Sequence, residues 1–156
     1  MGYDMYTQGA AECADPEHGE HYLRRALGNG GVLARELVLA GMGTWGDDEL
    51  FERGESSPWP EMPDTVKFNE DTDEYEGEGY DVYRAKVDAK LRDRRGAGPG
   101  IAVWKLCNTN DGWWVTKEEC EEALAAWEAA GRPDLPREDV LPFIRAGAAH
   151  DGFRVH

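Results

Sequence analysis

The chain has 156 residues and a net charge of −15, from 32 acidic against 17 basic side chains. That length suits one domain and is enough to bury a core without a metal or disulfide staple. Such a surplus of carboxylates repels phosphates and anionic lipid heads, which sets nucleic acids and membranes aside and leaves a protein partner, in particular a basic one.

In chain order, Met1–Thr7 alternates Met1, Tyr3 and Met5 with Gly2, Asp4 and Tyr6, a strand signal. Gln8–Glu20 is a polar connection. From His21 the apolar side chains Tyr22, Leu23, Ala26 and Leu27 predict a helix that breaks at Gly28-Asn29-Gly30-Gly31. A second helix is expected over Val32–Met42, with Leu33, Leu37 and Ala40 at core spacing.

Gly43–Gly79 carries thirteen acids against Arg53 and Lys67, together with Pro58, Pro60 and Pro63. It reads as a long acidic loop, and loops beyond about 12–15 residues are commonly functional. A short helix is expected at Asp47–Arg53. Trp45 and Trp59 lie in this loop rather than on regular elements. Tryptophans in an acidic rim are typical interface anchors; the competing role is to pin the loop to its own domain.

Tyr80, Tyr83, Val87 and Leu91 recur at helical spacing, and Arg92, Arg94, Arg95 and Gly96 mark the end of that helix. Ile101–Cys107, apolar except for Lys105, predicts a strand covered on both faces. Asn110-Asp111-Gly112 is a turn signal, with Trp113–Val115 as the strand beyond it. Thr116 and Glu119 form a capping box. The helix they open buries Cys120, Ala123, Leu124 and Trp127 and stops at Gly131. The last helix spans Val140–Ala149 after Asp139, and Phe153 and Val155 alternate in a closing strand.

Gly2-Tyr3-Asp4-Met5-Tyr6, Asn110-Asp111-Gly112-Trp113 and the closing His150-Asp151-Gly152-Phe153-Arg154-Val155-His156 resemble blocks in a family of small actinobacterial and actinophage proteins. The resemblance covers the two ends of the chain. It implies an N-terminal strand, a turn before a capped helix and a terminal strand, and it carries no activity to transfer.

The chemistry-bearing clusters are weak as motifs. Cys13, His18 and His21 give C-x4-H-x2-H, a thiolate–imidazole set suited to zinc. A structural site needs a fourth ligand, and the segment reads as polar linker, so solvated histidines and no metal are the expectation. Asp71, Asp73, Glu74, Glu76 and Glu78 fail the calcium-loop pattern: from Asn69, the sixth and twelfth positions are Glu74 and Tyr80. Gly96–Gly100 precedes a strand and lacks the lysine of a phosphate loop. Cys13, Cys107 and Cys120 are odd in number, without a C-x-x-C pair or a protease signature. Neither a basic leader nor an apolar stretch of about 20 residues is present, so a cytoplasmic protein is expected.

Together these features predict a single α+β domain over 1–156, a small mixed or antiparallel sheet flanked by about four helices, with the acidic loop at 43–79. The expected function is non-enzymatic protein binding, as a phage-encoded modulator of a host protein or an immunity-type factor, without cofactor. The expected contact residues are Trp45, Asp47, Asp48, Glu49, Trp59, Asp71, Asp73 and Glu74. The alternative is a small enzyme or ligand-binding domain with its site near Asn110–Trp113 and His150.

Overall fold

The computed structural model describes residues 2–10, 13–15, 21–26, 29–46, 59–107 and 112–156. Strand β1 (Gly2–Thr7) buries Tyr3 and Met5 and turns Tyr6 to solvent, as its alternation requires. Its partner is β2 (Tyr22–Ala26), antiparallel, with Met5 opposite Leu23. Within the helix expected from His21, Tyr22–Ala26 is therefore a strand, and Leu27 lies outside the described residues. Leu23 is buried between the exposed Tyr22 and Arg24, a period of two that the longer apolar spacing obscured. Cross-strand partners fix it: Tyr22 Oη donates to Asp4 Oδ1 at 2.6 Å, and Arg24 Nε lies 3.7 Å from the same carboxylate.

The closing strand β8 (Phe153–Val155) pairs with β1 on one side and β7 (Trp113–Val115) on the other. The four-stranded sheet runs β2-β1-β8-β7 and is antiparallel throughout. Against it packs helix α1 (Asn29–Leu39), which begins inside the glycine run expected to precede it. A Cβ on Gly30 would stand 2.2 Å from the Leu106 carbonyl oxygen, so glycine is what lets the helix start so close.

Helices α3 (Lys117–Ala129) and α4 (Val140–Ala149) follow their sequence signals closely. Cys120, Ala123, Trp127, Phe143 and Ile144 join Met5, Leu33, Leu37, Phe153 and Val155 in one core. Helix α2 (Tyr80–Leu91) covers a second cluster of Leu91, Ala102, Trp104, Trp113 and Trp114. Four α-helices and these small sheets among the described residues make the fold α+β.

The stretch expected as a doubly covered strand is buried from Ile101 to Leu106 and half-buried at Cys107, but only β6 (Ile101–Ala102) is extended, parallel to β3 (Gly43–Thr44). Val103–Leu106 then closes into a 3₁₀ turn. Lys105, the polar exception, is 0% exposed, as is Glu119. Lys105 Nζ donates to Glu119 Oε2 at 2.7 Å, to the Trp114 carbonyl at 2.7 Å and to the Arg92 carbonyl at 3.2 Å. All three ammonium protons thus have acceptors. Glu119 accepts from the amides of Ala102 at 2.9 Å and Thr116 at 2.8 Å, the latter completing the capping box. Burial pushes the Lys105 amine below its usual range, and the Glu119 carboxylate opposes that shift.

Candidate functional site

Within the stretch expected as loop, β4 (Lys67–Asn69) and β5 (Glu74–Glu76) form an antiparallel hairpin. Asn69 orders its turn: Oδ1 accepts from the Asp71 amide at 3.0 Å, and Nδ2 donates to Glu76 Oε1 at 2.9 Å. Asp73 takes the left-handed conformation, φ 57°, which a short polar side chain tolerates. At the base, Thr65 Oγ1 donates to the Glu78 carbonyl at 2.7 Å. A Cβ on Gly77 would meet the Thr65 carbonyl oxygen at 2.3 Å, so the closure requires glycine.

A lone hairpin is marginal in water, and aromatic contacts support this one. The register places Phe68 opposite Tyr75, their rings edge to face at 5.1 Å. Tyr75 stacks on Tyr80 at 6.2 Å, and Tyr80 approaches Tyr83 at 6.5 Å, which joins the hairpin to the first turn of α2. On the same hairpin Glu70, Asp71, Asp73, Glu74 and Glu76 are all exposed, with Lys67 its one cation.

Of the expected contact residues, Asp71, Asp73 and Glu74 are thus brought together at the hairpin turn. Asp47, Asp48 and Glu49 lie outside the described residues, as does the short helix expected at Asp47–Arg53. Trp45 is 44% exposed just beyond β3, and Trp59 is 47% exposed. Trp59 contacts its own domain, its ring 5.8 Å from Trp113 and beneath Lys90 Nζ at 5.1 Å, while half its surface faces water. Phe68 and Tyr75, exposed to 47% and 44%, were not among the expected contact residues. Each is an aromatic between polar neighbours, on either side of an Asn-Glu-Asp-Thr-Asp turn, an alternation only three residues long.

A second convergence forms where β1 leaves the sheet, β2 enters it and α4 hands over to β8. The Thr7 amide donates to the His21 carbonyl at 3.0 Å, Gln8 to Gly152 at 2.9 Å and Asp151 to Gln8 at 3.0 Å. The Cys13 amide closes a turn on the Ala10 carbonyl at 3.0 Å. These bonds gather Cys13, His21 and His150, all half-buried, with a ligand atom from each within 4.8 Å of the others. The two imidazoles meet edge to face at 5.5 Å. Thiolate and imidazole are donors suited to zinc or copper. His18 lies outside the described residues.

Asn110 and Asp111 are likewise not described, but Gly112 lies against the His156 ring, where a Cβ would stand 3.1 Å from Cε1. His150 precedes β8 and His156 follows it. Gly112 and His150 therefore sit at opposite ends of that strand. A groove of about 330 Å³ lies elsewhere, between the end of α3 and the start of α4, lined by Trp127, Arg132, Leu135, Arg137, Leu141 and Arg145 among others. Arg132 pairs with Glu128 at 3.3 Å and Arg137 with Asp139 at 3.0 Å. The groove shares no residue with the hairpin or with the Cys–His cluster. No family model, curated protein or solved structure matches the chain, so the functional reading rests on this geometry.

Proposed function

We propose that the chain is a non-enzymatic protein-binding module whose β4–β5 face occupies a basic surface on its partner. The observation that carries this reading is the exposed Phe68–Tyr75 pair on a hairpin that also carries five exposed carboxylates. Exposed aromatics supply the desolvated contact area of an interface, while rim acids steer association and select against acidic partners. Asp71, Asp73 and Glu74 supply the steering charge, and Trp59, half exposed over Trp113 and beneath Lys90, is a separate aromatic that a broad partner surface would also cover. A modulator of a host protein, or an immunity-type inhibitor of a basic toxin, is the biological form this reading takes.

The test is affinity capture from the source cell with the wild-type chain and with a Phe68→Ala/Tyr75→Ala variant. A basic protein recovered by the wild type, released by salt and lost from the variant is the expected result. A partner held equally by a folded variant would move the interface off this face.

A further inference from the structure

We infer that Cys13, His21 and His150 form a zinc-binding site that ties the β1–β2 connection to the C-terminal end of α4. The three side chains come from distant parts of the chain, and their ligand atoms already lie within 4.8 Å of one another. Tetrahedral zinc, with bonds of about 2.0–2.3 Å, holds its ligand atoms about 3.3–3.6 Å apart. The ion thus has to draw the set inward by about 1 Å, a movement within the reach of side-chain rotation.

Several features point to a metal rather than to a chance meeting of polar side chains. His21 Nδ1 and His150 Nε2 are both shielded from solvent, so the nitrogens face the protein and not the water that a surface histidine would seek. The backbone around them is fixed before any ion arrives. His21 offers its carbonyl to Thr7, the His150 amide donates to the Ala146 carbonyl at 3.1 Å, and Gln8 is bonded in both directions to the Asp151–Gly152 turn. A preformed set of ligands lowers the ordering cost of binding. The donor types narrow the ion. One thiolate with two imidazoles suits zinc, and copper among its competitors, whereas calcium and magnesium require oxygen ligands.

Three protein ligands leave one coordination position for water, the pattern of an open zinc site. Binding requires the thiolate and neutral imidazoles, so it releases protons and weakens in acid. The site also bears on stability, because an ion bound only by the folded chain stabilises it by RT ln(1 + [Zn²⁺]/Kd).

The full chain, stripped with a chelator, is titrated with Zn²⁺ and separately with Co²⁺ as a spectroscopic substitute. The expected result is one equivalent of Zn²⁺, a higher melting temperature, and a thiolate-to-cobalt charge-transfer band that Cys13→Ser abolishes. His150→Ala weakens Zn²⁺ binding about a hundredfold or more, and His18→Ala leaves it intact. The wild-type cobalt spectrum needs no variant to fold, and absence of the thiolate band overturns the proposal. So does loss of binding in His18→Ala with retention in His150→Ala, which would assign the metal to the local C-x4-H-x2-H segment.

Discussion

At the Lys105–Glu119 pair two opposite charges are withdrawn from water and ringed by hydrogen-bonding partners, whereas on the β4–β5 hairpin five carboxylates stand in solvent with Lys67 alone to offset them. The first arrangement serves the fold. It links the 3₁₀ turn, β6, β7 and the start of α3, and neither side chain can reach a partner molecule. The second contributes little to the fold and leaves its charge available. Among the described residues, the Lys105–Glu119 pair is withdrawn from water while the hairpin's acids stay in it, on the same element as the exposed Phe68 and Tyr75. The arginines follow the same division. Arg92 and Arg154 lie over the Trp114 ring at 3.8 and 4.7 Å, and Arg95 lies over Trp104 at 4.6 Å, so these cations cover the second core.

The largest expected effect breaks the buried pair. Glu119→Ala leaves Lys105 charged in the interior and orphans two amides, and should cost about 3–5 kcal/mol in urea denaturation. A loss below about 1 kcal/mol would mean that water enters to replace the carboxylate. Trp127→Ala should cost about 3 kcal/mol or slightly more, because it empties core volume and removes the Nε1 bond to the Pro133 carbonyl.

Trp59→Ala sharpens the contrast, since that ring stands between the two regimes. It should cost about 1 kcal/mol through the lost Trp113 contact while abolishing partner capture. Unfolding as severe as that of Trp127→Ala would assign Trp59 to the core and place the interface elsewhere. Replacing Asp71, Asp73 and Glu74 by lysine should alter stability by no more than about 0.5 kcal/mol per site. In stopped-flow measurements the same change should slow association at low ionic strength, with the difference shrinking as salt screens it.

The smallest effect concerns acid. The hydrogen bond from Arg94, followed by that from the Gly100 amide, holds the Glu122 carboxyl below its usual range. A carboxylate with a depressed folded pKa stabilises above its unfolded value of about 4.3 and loses that contribution as pH falls through the folded value. Glu122→Gln should therefore lower stability slightly at neutral pH and flatten the acid limb of the stability curve. An unchanged limb would show that the Arg94 contact is too well solvated to matter.

Much of the fold was legible where the determining contacts are local. Thr116 and Glu119 cap α3 through bonds three residues apart, Gly131 adopts φ 82° beyond its end, and Val140–Ala149 is the helix its apolar pattern requires. The candidate interface was legible in part. Its acidity and Trp59 stand out in composition, but Phe68 and Tyr75 passed for loop residues because a three-residue strand gives too short an alternation to recognise.

The sequence by itself determined the net charge, the helices with their own start and stop signals, and the strands with unbroken alternation, since those rest on interactions within one turn or between adjacent residues. Only the tertiary structure decided that Tyr22–Ala26 is a strand, because its preference for Asp4 and Met5 as neighbours lies outside its own segment. It alone decided that the capping Glu119 is also the counterion of Lys105, and that Cys13 and His21 meet His150 rather than each other alone. Each of these depends on pairs far apart in the chain, and burial made their pairing obligatory: an ammonium inside the core must find a carboxylate, wherever in the sequence that carboxylate lies.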